Sequence, residues 1–158
     1  MSAPTEFKVF VVCTAVLYLK FVRVTMIQAR TTFDAGGRAP EDKALPLAKG
    51  RPTQNYGLDD SVVDETILKA REVEHRWRSI VQNDLESIPF ALLIFGGALF
   101  ADGNVPVQCA SMIAYTTLRC LHTIAYAKQL QPYRAWCWRL GVVAILVGAV
   151  NAIVGVYS

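Results

Sequence analysis

The chain has 158 residues, 53% of them hydrophobic and 18% charged, and sixteen basic against thirteen acidic side chains give a formal charge of +3. A soluble domain carries about 25% charged residues, so the composition excludes an ordinary soluble enzyme. High apolar content with four cysteines excludes a disordered, collagen-like or disulfide-framework chain, and so small a charge excess does not suit nucleic acid.

Asp, Glu, Lys and Arg are absent from Val9 to Leu19, Ser87 to Ala101, Gly103 to Leu118 and Leu140 to Ser158. A helix needs about 20 residues to cross the hydrocarbon core. The first three blocks fall short of that, so each helix must run past its nearest charges and carry ionisable groups with it. The spacing predicts an all-α integral membrane protein, one four-helix domain over 1–158. Helix 1 is predicted over 7–29, helix 2 over 79–101, helix 3 over 104–128 and helix 4 over 135–157.

Between the first two helices lies a polar segment, 30–78, rich in Gly, Pro and charge, whose later part from Asp60 to Arg78 suits a helix leading into the membrane. Asp102-Gly103-Asn104 and Gln131-Pro132 supply the other turns. Lys and Arg alone set orientation. The first loop holds nine of them and the third holds Lys128 and Arg134, while the second loop and the tail hold none. Loops 1 and 3 are therefore expected to be cytoplasmic and both termini lumenal. No small-residue cleavage pattern follows the first apolar run, which reads as a signal anchor.

With that topology the awkward polar residues gather on one side. Helix 1 carries Lys20 and Arg23, helix 2 Asn83, Asp84 and Glu86, helix 3 Arg119, His122 and Tyr126, and helix 4 Arg134, Trp138 and Arg139. Spacings of three, four and seven put each set on one helix face. The faces can converge on a cavity. Snorkelling to the headgroups remains the alternative for Lys20 and Arg23, and a structural ion pair with Arg119 or Arg76 for Asp84 and Glu86, while Arg139 reads as a membrane anchor. His122 alone fits core packing as well as a ligand, and the tryptophans fit an interfacial belt.

Two His and four Cys show no metal-ligand spacing, and no CxxC, phosphate loop, nucleophile elbow or HExxH occurs. The expected site has no metal. A nucleophile would have to arrive with a substrate. Several Arg, one Glu, a Tyr and an Asn suit a small molecule with carboxylates and an amine, because Arg recognises carboxylate bidentately. An adjoining lipid-accessible wall would suit an apolar second substrate.

Asn83-Asp84-Leu85-Glu86-Ser87-Ile88-Pro89-Phe90, preceded by Val73-Glu74 and Arg76, resembles the helix 2 signature of the membrane-associated proteins in eicosanoid and glutathione metabolism, the MAPEG family. Arg119 with His122-Thr123-Ile124-Ala125-Tyr126 resembles that family's helix 3 motif, Pro40-Glu41-Asp42 its first-loop motif, and Gln28-Ala29-Arg30 the basic end of its helix 1. Within the family the chain is most similar to the type 1 microsomal glutathione transferase and microsomal prostaglandin E synthase branches.

The resemblance implies a homotrimer of four-helix subunits in the endoplasmic reticulum membrane, with glutathione bound at the cytoplasmic side. It implies glutathione contacts at Arg30, Arg76, Asn83, Glu86, Arg119, His122, Tyr126, Arg134 and Trp138, and catalytic roles for Arg134 and Asp42. The implied activity is conjugation of glutathione to hydrophobic electrophiles from the bilayer, with reduction of lipid hydroperoxides beside it. The alternatives are a glutathione-dependent prostaglandin E synthase and a non-catalytic lipid-binding scaffold. Ala135 stands where the synthase branch has Ser, which removes any mechanism needing that hydroxyl. Small residues at Gly141, Ala144, Gly148, Ala152 and Gly155 are expected to let helix 4 pack closely, in support of oligomerisation.

Overall fold

A computed structural model describes residues 3–58 and 64–158. Four long helices account for most of them: α1 (Thr5–Asp34), α2 (Glu65–Gly97), α3 (Val105–Ala127) and α4 (Tyr133–Tyr157), with short 3-10 turns at Pro40–Ala44, Pro46–Ala48 and Ala98–Phe100. All four predicted helices are present. Helix 2 begins far earlier than the predicted span, because Glu65 to Arg78 continues the same helix on the polar side; residues 59–63 of the predicted lead-in lie outside the described residues.

Three of the four helices are long and apolar enough to cross a membrane: Thr5–Asp34, Glu65–Phe100 and Tyr133–Tyr157. The fourth, α3, has the length but spends one face on Gln108, Ser111, Thr116, Arg119 and His122, all buried. Its polarity points inward. Exposed apolar side chains instead coat the outside of α4, including Leu146, Val150, Ile153 and Val154, as lipid contact requires.

The described residues fall into two compact units, with the divisions inside α1 and α2. The first comprises residues up to Phe21 together with Asn83–Ser158. Its core is Cys13, Leu17, Ile88, Ala91, Phe95, Met112, Tyr115 and Ala144, with the Phe95 and Tyr115 rings tilted at 60° and 5.8 Å apart. Asn104 starts α3 by accepting the Val107 N–H at 3.1 Å, an N-cap that satisfies one orphan donor. Asn151 then clasps the same turn from α4, its Oδ1 accepting from Asn104 N and its Nδ2 donating to Asn104 O.

The small residues of α4 are used within the chain. A Cβ on Gly148 would stand 2.6 Å from the Phe95 ring, and one on Gly155 would collide with the Gly103 backbone. Close packing of α4 is therefore found, but against Phe95 of α2, α3 and the turn before it. The stripe at Gly141, Ala144, Gly148 and Gly155 is buried in this single chain, so it gives no support to oligomerisation.

The second unit, Val22–Gln82, is organised around Gln54. Only 2% exposed, its amide donates to Phe33 O and Pro52 O and accepts from Arg38 N. One side chain thus ties the returning stretch to the end of α1. Gly36, at φ +70° with a Cβ position 2.9 Å from Thr53 O, makes the turn that lets Asn55 N and Gly57 N reach Gly36 O.

Candidate functional site

In the first unit, α2, α3 and α4 present polar side chains to one cavity. It measures about 360 Å³ and is lined by Asn83, His122, Tyr126, Gln131, Arg134, Ala135, Trp138 and Arg139. Helical register explains the gathering: His122 and Tyr126 are one turn apart on α3, and Arg134 and Trp138 one turn apart on α4. The rings of His122 and Tyr126 meet edge to face at 5.7 Å. The Arg134 guanidinium lies over the other part of that stack, 4.4 Å from the Tyr126 centroid, a cation–π contact that holds the charge in place.

Behind Asn83 lies a buried charge cluster. Arg119, 1% exposed, donates to Asn83 Oδ1 at 2.9 Å, Asn83 O at 3.1 Å and Asp84 Oδ1 at 2.5 Å. Lys20 donates to both oxygens of Asp84, at 2.5 and 2.6 Å. Two cations therefore share one carboxylate that has no exposed surface. The structural pairing weighed for Asp84 is what the chain adopts, and Lys20 turns inward where snorkelling was the alternative. Arg119 fixes the Asn83 amide, so it acts on the cavity through Asn83. His122 Nδ1, Arg119 Nε, Thr116 Oγ1 and Thr123 Oγ1 are buried without a hydrogen-bond partner. Unpaired buried polar atoms are costly.

Five of the residues singled out from sequence, Asn83, His122, Tyr126, Arg134 and Trp138, line the cavity together. Glu86 is exposed one turn beyond Asn83 and is outside that lining. Arg30, Arg76 and Asp42 belong to the second unit, where Arg30 is exposed, Arg76 half-buried, and Asp42 paired with Arg38 at 2.7 Å. Sequence reasoning missed Gln131 and Arg139 as lining residues. Arg139 was assigned to the membrane interface, although its position four residues after Ala135 puts it on the cavity face of α4.

A second cavity of the same unit is apolar. Thr14, Leu17, Tyr18, Phe21, Asp84, Leu85, Ile88, Pro89 and Leu92 enclose about 230 Å³ between α1 and α2. It reaches the buried carboxylate from the hydrocarbon-like side. Adjacent residues of α2 line the two cavities, Asn83 the polar one and Asp84 the apolar one.

Residues 9–154 match the model of the MAPEG family. No curated protein matches the chain.

Proposed function

Starting from the fact that this chain belongs to the MAPEG family, membrane proteins that include glutathione transferases and prostaglandin E synthases, we propose that it is a glutathione-dependent membrane transferase acting on hydrophobic electrophiles. The single observation that carries this reading is the cavity in which Arg134, held over Tyr126, faces Asn83, His122 and Trp138. The lining fits glutathione chemically. The tripeptide brings two carboxylates, an ammonium and a thiol; guanidinium takes carboxylate in a planar, two-point contact, and amide and phenol groups serve its peptide bonds.

Arg134 is the residue we assign to thiol activation. A cation beside a thiol lowers its pKa by favouring the thiolate, and each unit gained corresponds to about 1.4 kcal/mol. Asn83, fixed by Arg119, and Tyr126 orient the tripeptide. Glu86 is the proposed ammonium partner, with His122 completing the contacts. The apolar cavity along α1 and α2 supports delivery of the second substrate from the bilayer. With an aryl halide the thiolate attacks the ring carbon, the S–C bond forms and halide leaves.

The same proposal includes a homotrimer in the endoplasmic reticulum membrane with all four helices spanning and loops 1 and 3 cytoplasmic; the distribution of basic residues supports the orientation alone. Ala135 in the cavity lining argues against prostaglandin E synthesis by a route needing a hydroxyl there. The test is conjugation of glutathione to chlorodinitrobenzene by the detergent-purified protein. Turnover that falls at least about tenfold in Arg134→Ala supports the assignment; wild-type turnover no faster than the solution reaction removes it.

A further inference from the structure

The turn after α1 exposes apolar side chains where a water-facing loop would hide them. Leu45 and Leu47 are 44% and 51% exposed, and the run Ala44-Leu45-Pro46-Leu47 is open to solvent throughout. Lys43 and Lys49, both exposed, bracket it. The leucines are not loose. Two successive single turns of 3-10 helix, Pro40–Ala44 and Pro46–Ala48, each entered through proline, fix the backbone on either side of Leu45.

The apex is also pinned to the end of α1. Arg51 donates from Nη1 to Leu47 O at 2.7 Å and pairs through Nε with Asp34 Oδ1 at 2.8 Å. One guanidinium thus joins Leu47 to the last residue of a helix that is long and apolar enough to span a bilayer. Arg51 and Arg38 both lie over the Phe33 ring, at 5.8 and 5.2 Å. Asp34 follows the predicted membrane exit at 29 by five residues, about 8 Å of helix. That is comparable to the headgroup layer, about 5–7 Å on each face.

The local charge favours an anionic surface. Of the four cations between residues 38 and 51, Arg38 pairs with Asp42 and Arg51 with Asp34, which leaves Lys43 and Lys49 against Glu41. Lys43 and Lys49 are left to project beside the leucines. Exposed apolar side chains flanked by lysines, tethered at the height of the headgroups, are the composition that settles into an anionic interface. We propose that Lys43–Lys49 is a docking surface for anionic phospholipid, with Leu45 and Leu47 inserted among the headgroups and the two lysines on phosphate or carboxylate groups. The proposal does not depend on the glutathione reading.

The experiment is lysine acetylation by an N-hydroxysuccinimide ester, read by peptide mass spectrometry, on the full chain in detergent, in phosphatidylcholine nanodiscs, and in nanodiscs with about a third phosphatidylserine. Lys69, on α2 with a side chain 71% exposed, is the internal reference. Labelling of Lys43 and Lys49 relative to Lys69 is expected to fall at least about threefold in the phosphatidylserine discs compared with phosphatidylcholine. The fall should shrink in Leu45→Ser/Leu47→Ser, whose helix content by circular dichroism should match wild type. Equal labelling in the two discs overturns the proposal. Labelling in detergent as low as in the phosphatidylserine discs also overturns it, because then the protection does not depend on anionic lipid.

Discussion

Replacing Asp84 with Asn should be among the most damaging single changes in the molecule. The carboxylate is fully enclosed, and its oxygens are shared by Lys20 Nζ and Arg119 Nη2. Removing one partner of a buried pair costs about 3–5 kcal/mol, since the other charge stays desolvated and unmatched. Here two cations lose the same partner, so the upper end, about 5 kcal/mol, is expected for Asp84→Asn. Lys20→Met should cost only about 1 kcal/mol or less, because Asp84 and Arg119 remain a matched pair and an apolar side chain suits the neighbouring cavity wall. The double variant Lys20→Met/Asp84→Asn should therefore be more stable than Asp84→Asn alone, by about 1–3 kcal/mol of coupling. Unfolding of the detergent-solubilised protein by increasing mole fractions of dodecyl sulfate, followed by circular dichroism, reads all three. Strict additivity, or equal losses for Lys20→Met and Asp84→Asn, would refute the shared-carboxylate reasoning.

Other consequences are as direct. Gly155→Ala should lower the melting temperature well below that of Gly97→Ala, because a Cβ at 155 meets the Gly103 backbone whereas none at 97 meets anything within 4 Å; paired thermal melts decide it. Gln54→Ala should cost about 1–3 kcal/mol locally by orphaning Arg38 N and Phe33 O, seen as faster tryptic cleavage at Lys43 and Lys49. Tyr126→Leu should weaken glutathione binding by about two- to thirtyfold through loss of the platform under Arg134, worth about 0.5–2 kcal/mol. Tyr126→Phe keeps the ring and should lose much less, which equilibrium dialysis with labelled glutathione can resolve.

Much of this was legible in the sequence, for identifiable reasons. Gaps in charge located the helices, since burial of an unpaired Lys or Asp in hydrocarbon is expensive wherever it falls. Helical spacing on α3 and α4 put His122 with Tyr126 and Arg134 with Trp138, and those pairs do share the cavity. Pairing across helices was less visible. Periodicity says which face a residue occupies but not which of several cations a carboxylate will choose, so Lys20 as partner of Asp84 and Arg139 as a cavity residue emerged only in three dimensions. The glycines of α4 illustrate the same limit: small residues announce close packing, while the identity of what packs there, Phe95 and Gly103 of the same chain, depends on the tertiary fold. The polar first loop gave no periodic signal at all, because its order rests on one buried amide, Gln54, and a guanidinium, Arg51.

The central claim is that the cavity beside Arg134 binds glutathione and holds it as thiolate. Stopped-flow mixing of the purified protein with glutathione alone, followed in the far ultraviolet, tests it without any second substrate. The account predicts a rise in thiolate absorbance in wild type that is diminished in Glu86→Gln and lost in Arg134→Ala. No rise in wild type, or an undiminished rise in Arg134→Ala, would contradict it and turn the reading toward a non-catalytic lipid-binding scaffold or toward a different activating residue.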